Sequence, residues 1–126
     1  MQGVIADAVA DLKATYEHRE VVTEELADGQ VWVTLMGVGI GDGWNSERID
    51  LSVKLQPTFP DTEPYPFYAG PGLGRIDGTQ YGPIQPQVHI DGRLLTQISL
   101  NKRQMRTGES LASRFGSVIA WLRNPR

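Results

Sequence analysis

One twelve-residue stretch, Val88 to Ser99 (VHIDGRLLTQIS), gathers the side chains best suited to chemistry: His89, Thr96 and Ser99. A hydroxyl is a poor nucleophile at its ordinary pKa and needs an adjacent base. A histidine within hydrogen-bond reach can serve as that base or polarise a carbonyl. Asp91-Gly92 is a strong hairpin-turn signal, so His89 and Leu94 are expected to face each other across it. A tight hairpin brings His89 back towards the segment that holds Thr96. The same residues also read as an ordinary β-hairpin with a polar edge, its hydroxyls merely structural. Strand alternation puts Thr96 on one face with Leu94 and Ile98, and Ser99 on the other.

Other chemistry finds little support. His18 and His89 are the two histidines, 71 positions apart, so no metal-ligand spacing exists and no metal or cofactor is expected. The chain has no cysteine, which excludes a disulfide scaffold, a thiolate metal site and a thioester. Gly37, Gly39, Gly41 and Gly43 lack the spacing and the following Lys-Ser/Thr of a phosphate loop, and a strand follows them. Asp61, Asp77 and Asp91 sit in turn-forming stretches, where aspartate bonds its own backbone. No paired-carboxylate constellation stands out. A net charge of −3 argues against nucleic acid as a partner. Lys102, Arg103, Arg106 and Arg114 are local exceptions, read as a solvated face, with a contact patch for an acidic partner as the alternative. No apolar run approaches the ~18 residues of a membrane span, and no secretory leader is visible. A cytoplasmic protein with no membrane partner is the expectation.

At 126 residues the chain is expected to form one domain, spanning 1–126. The spacing predicts a helix over 2–17, with Val4, Ile5, Ala8, Val9 and Leu12 on one face. Strands are predicted over 20–26, 30–40 and 47–55, the last with Ile49, Leu51, Val53 and Leu55 alternating against polar residues. The helix should pack on this three- or four-stranded antiparallel meander. The glycine-rich GIGDGWN between the second and third strands reads as a flexible turn. Pro57 to Pro86 carries seven prolines, which end ladders and helices. Phe59, Tyr65, Phe67, Tyr68 and Tyr81 should hold it as an ordered, packed loop, with a short strand over 66–69. A second helix is predicted over 109–123, capped by Thr107, with Leu111, Phe115, Val118, Ile119 and Leu122 on its buried face. Strands in succession with helices at the ends give an α+β class.

The order of three segments, FPDTEPYPFYAGPGL, VHIDGRLLTQISL and ESLASRFGSVIAWLRN, resembles the core of ubiquitin-conjugating enzymes. The resemblance implies that family's fold over about residues 2 to 124. In the family a His-Pro-Asn turn precedes Gly-x-(Ile/Leu)-Cys. Here His89 matches, Ile90 and Asp91 replace Pro and Asn, and Gly92-Arg93-Leu94 matches the lead-in. Counting from that glycine puts the family's cysteine at Leu95; counting back from the family's Trp, matched by Met105, puts it at Gln97. Thr96 lies between them. The stretch is similar to bacterial conjugating-enzyme-like proteins, which accompany an activating-enzyme-like protein, a ubiquitin-like protein and a deconjugating peptidase and are associated with phage defence. The resemblance therefore implies a component of such a pathway, with the ubiquitin-like and activating-enzyme-like proteins as partners. Two versions stay open. In one, Thr96, or failing it Ser99, carries the modifier as an oxyester with His89 assisting. In the other, the domain is a catalytically inactive interaction module.

Overall fold

The computed structural model describes Met1, residues 3 to 100 and residues 110 to 126. Lys102, Arg103, Met105, Arg106 and Thr107, singled out above, lie outside the described residues. The elements run α1 (Gly3–Thr15), β1 (Val21–Glu25), β2 (Val31–Gly39), β3 (Arg48–Leu55), β4 (Phe67–Ala69), β5 (Ile84–Ile90), β6 (Arg93–Ile98) and α2 (Leu111–Arg123). The strands form one antiparallel sheet in the order β1-β2-β3-β4-β6-β5. The predicted meander is its first four strands. The α+β class is as the sequence implies, and the architecture is consistent with a conjugating-enzyme-like fold.

Side-chain alternation builds the sheet. Val31, Val33 and Leu35 of β2 lie opposite Leu55, Val53 and Leu51 of β3, and all six are at most 3% exposed. They face the helices, and the intervening Trp32, Thr34, Ser52 and Lys54 turn to the other side. The hairpin expected at Asp91-Gly92 is present. Both residues have positive φ, 51° and 74°, as a tight two-residue turn requires, and His89 pairs with Leu94.

Val9 and Leu12 of α1 and the inward residues of α2 share one core with the apolar side chains of β2 and β3. Phe115 of α2 meets Phe67 of β4 edge to face at 5.0 Å, and the buried residues of α2 cover about half of its circumference. α1 packs on α2 and buries Val9 and Leu12 fully. Ile5, Ala8 and Tyr16 complete its stripe. Val4 is 53% exposed: it stands one residue, about 100°, round from Ile5 and leaves that stripe. Two further corrections concern α2. Ser110 caps it, its Oγ accepting from Ser113 N–H at 3.1 Å. Arg114 is not a solvated cation: it is 6% exposed, and its Nη2 pairs with Glu63 Oε1 at 3.3 Å.

The proline-rich segment is packed, but not by all its aromatics. Phe67 and Tyr68 are buried, while Phe59 and Tyr81 lie partly buried against the core. Tyr81 stacks edge-on against Trp121 at 5.7 Å. Tyr65 is 55% exposed: its ring precedes β4, whose three residues Phe67, Tyr68 and Ala69 are the buried ones. The segment also ends earlier than its prolines suggest. β5 begins at Ile84 and contains Pro86, which an edge strand tolerates at the register shift between Gln85 and Val88. The 40–46 stretch is not a free turn either. Trp44 is 4% exposed, and its Nε1 donates to Leu122 O at 2.7 Å.

Phe67→Ala should lower stability by about 3–5 kcal/mol, since it empties a fully buried ring site. Tyr65→Ala should stay within about 0.5 kcal/mol of wild type, as exposed substitutions do. Urea denaturation followed by circular dichroism reads both.

Candidate functional site

Thr96 is a β-branched residue in β6, facing the helices beside Ile98, and it is completely buried. Its Oγ1 lies 2.7 Å from Gly70 O and 3.0 Å from Pro86 O, and it accepts from Leu73 N–H at 3.1 Å. One hydroxyl proton is thus shared between two carbonyls while the oxygen takes a third bond. The bonds join β6 to the loop leaving β4 and to the irregular point of β5. Gly72 N–H also donates to Pro86 O, at 2.8 Å, which closes the loop over the hydroxyl. Attack on an acyl group by Oγ1 requires Gly70–Leu73 to move aside.

Ser99 follows β6 and lies half-buried; its N–H donates to Pro83 O at 2.9 Å and its Oγ accepts from Gln97 Nε2 at 3.0 Å. Its company with Gln97 puts it on the face opposite Thr96. His89 is exposed on β5. Through its pairing with Leu94 it stands diagonal to Thr96, on the order of 7–8 Å between Cα atoms. Ser99 is five residues beyond Leu94, roughly 16 Å along the strand. The hairpin therefore brings His89 towards Thr96 but not towards Ser99, and among the described residues His89 bonds neither hydroxyl.

β4 spans three residues while β3 runs on to Arg48, so a gap opens where β4 stops. A cavity of about 460 Å³ fills it, bounded by Arg48, Asp50 and Ser52 on one side and by Gly70, Leu73 and Leu95 on the other. Asn45 clamps its far end: Nδ2 donates to Gly72 O at 2.8 Å and Oδ1 accepts from Gly74 N–H at 3.2 Å. Sequence reasoning missed Asn45, whose one visible signal was its place just after Gly43-Trp44.

The outer face of the sheet carries a second cluster that the sequence did not suggest. Asp91, at the hairpin tip, accepts from Trp32 Nε1 at 3.0 Å and Lys54 Nζ at 3.2 Å. Lys54 and Arg93 lie over the Trp32 ring, 5.6 and 5.4 Å from its centre, and Arg93 pairs with Glu24. Tyr68 meets Trp32 edge-on at 5.4 Å. The Lys54 ammonium, and after it the Trp32 N–H, holds the Asp91 carboxyl below the usual aspartate range. Burial, with help from Asp91 and Tyr65, pushes the Tyr68 phenol up. Asp91 was read as a turn residue alone; the turn leaves its carboxylate available to a strand distant in sequence.

A family model described as prokaryotic E2 family E matches residues 9–122, from the second half of α1 to the end of α2. The chain belongs to that family. No curated protein and no solved structure matches it significantly. The chain has no cysteine. Among the described residues no helix is long and apolar enough to cross a membrane.

Thr96→Val should cost about 1–3 kcal/mol, because it strands the buried Leu73 N–H and takes the hydroxyl donor from Gly70 O, while Pro86 O keeps Gly72 N–H. Thr96→Ser, which keeps the hydroxyl, should cost about 0.8 kcal/mol for the lost methyl. Urea melts separate the two. For Asp91 the sign follows from its depressed pKa. Its contribution is complete above the unfolded value of about 3.9 and is lost as pH falls through the lower folded value. Tryptophan fluorescence should therefore show a transition below about pH 3.9 that Asp91→Asn abolishes.

Proposed function

We propose that this prokaryotic E2 family member acts in a bacterial ubiquitin-like modification pathway as a non-covalent interaction module. It would hold an activating-enzyme-like or ubiquitin-like protein rather than carry the modifier. One observation carries the reading: the hydroxyl nearest the family's cysteine position, Thr96 Oγ1, is fully buried and engaged with Gly70, Leu73 and Pro86. The lack of any thiol supports it further. A working nucleophile needs an open line to the acyl carbon and a base in reach.

The second reading is oxyester carriage, at Thr96 or Ser99 with His89 assisting. The cavity beside Gly70–Leu73 favours it, because a displaced loop would open the Thr96 hydroxyl onto that space. The family's oxyanion-stabilising Asn has no counterpart here, so backbone N–H groups such as that of Leu73 would have to serve.

The test mixes the protein with its cognate activating-enzyme-like and ubiquitin-like proteins, ATP and magnesium. Denaturing gels should show no adduct, while calorimetry shows binding to at least one partner. A thiol-resistant, hydroxylamine-sensitive adduct that disappears in Thr96→Val or Ser99→Ala would instead select acyl carriage. Failure to bind either protein would remove the pathway assignment altogether.

A further inference from the structure

A second cavity, about 420 Å³, opens between the end of α1, the end of β2 and the last turns of α2. Val38, Gly116 and Ile119 form an apolar floor, and Tyr16, Arg19 and Arg123 stand round it. Its geometry begins with a slip in β2. The register shifts between Leu35 and Val38, and Gly37, with φ 64°, allows it. The irregularity presents carbonyls to guanidinium groups. Arg48 Nη1 donates to Gly37 O at 3.1 Å, and Arg123 Nε donates to Gly39 O at 3.0 Å.

Arg123 is held from several directions. Trp44 fixes the preceding carbonyl, Leu122 O, and Gly41 packs so close that a Cβ there would lie 3.4 Å from Arg123 Cα. The bond to Gly39 O uses Nε and leaves the two terminal nitrogens for a ligand. Among the described residues neither Arg19 nor Arg123 joins an ion pair. Asp50, whose Oδ1 accepts from Gly37 N–H at 2.9 Å, lines the other cavity, and Glu17 lies against His18. Tyr16 Oη faces Gly116, where a Cβ would come within 3.6 Å of it, so the missing side chain keeps the space open. Burial holds the Tyr16 phenol up and Arg123 opposes this, so the phenol remains a neutral donor at neutral pH.

We infer that this cavity binds a carboxylate borne on a small apolar body, the oxygens meeting Arg19, Arg123 and Tyr16 and the body resting on Val38 and Ile119. Guanidinium forks match a planar carboxylate, and charge-assisted bonds of this kind are the strong ones. The volume lies in the small-ligand range, roughly 300–1,000 Å³. The carboxyl end of a partner polypeptide and a free small carboxylic acid share this chemistry. The site shares no lining residue with Thr96 or its bonding partners and stands independently of the function proposed above.

The test is a ¹⁵N NMR titration of the full chain with N-acetyl-leucine, N-acetyl-leucinamide, a tripeptide ending in leucine, and inorganic phosphate. N-acetyl-leucine should give saturable shifts centred on Tyr16, Gly116 and Arg123, and the amide none. Arg19→Gln and Arg123→Gln should each weaken binding about tenfold, the loss of one charge-assisted bond. Ala120→Leu, on an exposed lining position, should fill the cavity and abolish binding with both charges intact, its own spectrum reporting that it is folded. Tighter binding of the tripeptide assigns the ligand to a polypeptide end, and equal or weaker binding assigns it to a small acid; both support the site. Equal binding of the amide, phosphate binding as tight as the carboxylate, shifts centred elsewhere, or indifference to all three substitutions would each overturn it.

Discussion

The Thr96 hydroxyl is the joint between the regular and irregular halves of the sheet. β1 to β3 are held by long ladders and by alternating apolar side chains. Beyond them β4 has three residues, and β5 is interrupted at Pro86. Backbone groups at such places lose their ladder partners and must find others if they are buried. Thr96 Oγ1 reaches the loop at Gly70 and Leu73 and the interruption at Pro86. A residue with an apolar side chain could not replace those three contacts, and a charged one could not be buried there. The position that family resemblance offers to chemistry is occupied by structure. That is the physical basis for preferring a binding role.

The same economy governs the helical side. α2 touches the sheet through Phe115, the proline-rich loop through Arg114 and Trp121, and the 40–46 loop through the Leu122 carbonyl. α2 is the shared axis of these contacts, and both cavities lie at irregular strand ends, one beside the end of β2 and one beyond β4. Irregular backbone brings free carbonyls and bent chain together with polar side chains, and these two openings form where ladders stop or slip.

Much of this was legible from local pattern. The alternation through Val31–Leu35 and Ile49–Leu55 defined β2 and β3 and their buried face. Asp91-Gly92 announced its hairpin, because few sequences satisfy two positive φ values in succession. What local pattern could not give was partnership across distance. Nothing near Arg114 reveals Glu63, and nothing near Trp32 reveals Asp91. Burial of Tyr65 was wrongly expected because an aromatic in a proline-rich loop carries no information on which way the loop turns. Val4 was misplaced because a five-residue apolar stripe is wider than the face a thirteen-residue helix lays on one neighbour. Pro86 hid β5, since proline reads as a strand breaker until the strand is known to lie at an edge. The hairpin that carries the candidate residues was legible in Asp91-Gly92. The sequence offered Thr96 as a hydroxyl, and whether a hydroxyl is accessible or sealed depends on a loop 23 residues earlier.

The proline in the outermost strand has one more consequence, for how copies of this chain meet each other. A sheet edge is a row of unpaired donors and acceptors that invites a second sheet to continue it. Here one border is β5, with Pro86 lacking a donor and a register slip bending the strand. The other is β1, five residues long, carrying Glu24 and Glu25. Neither border offers a straight, neutral template. Both borders therefore disfavour edge-to-edge pairing with another sheet.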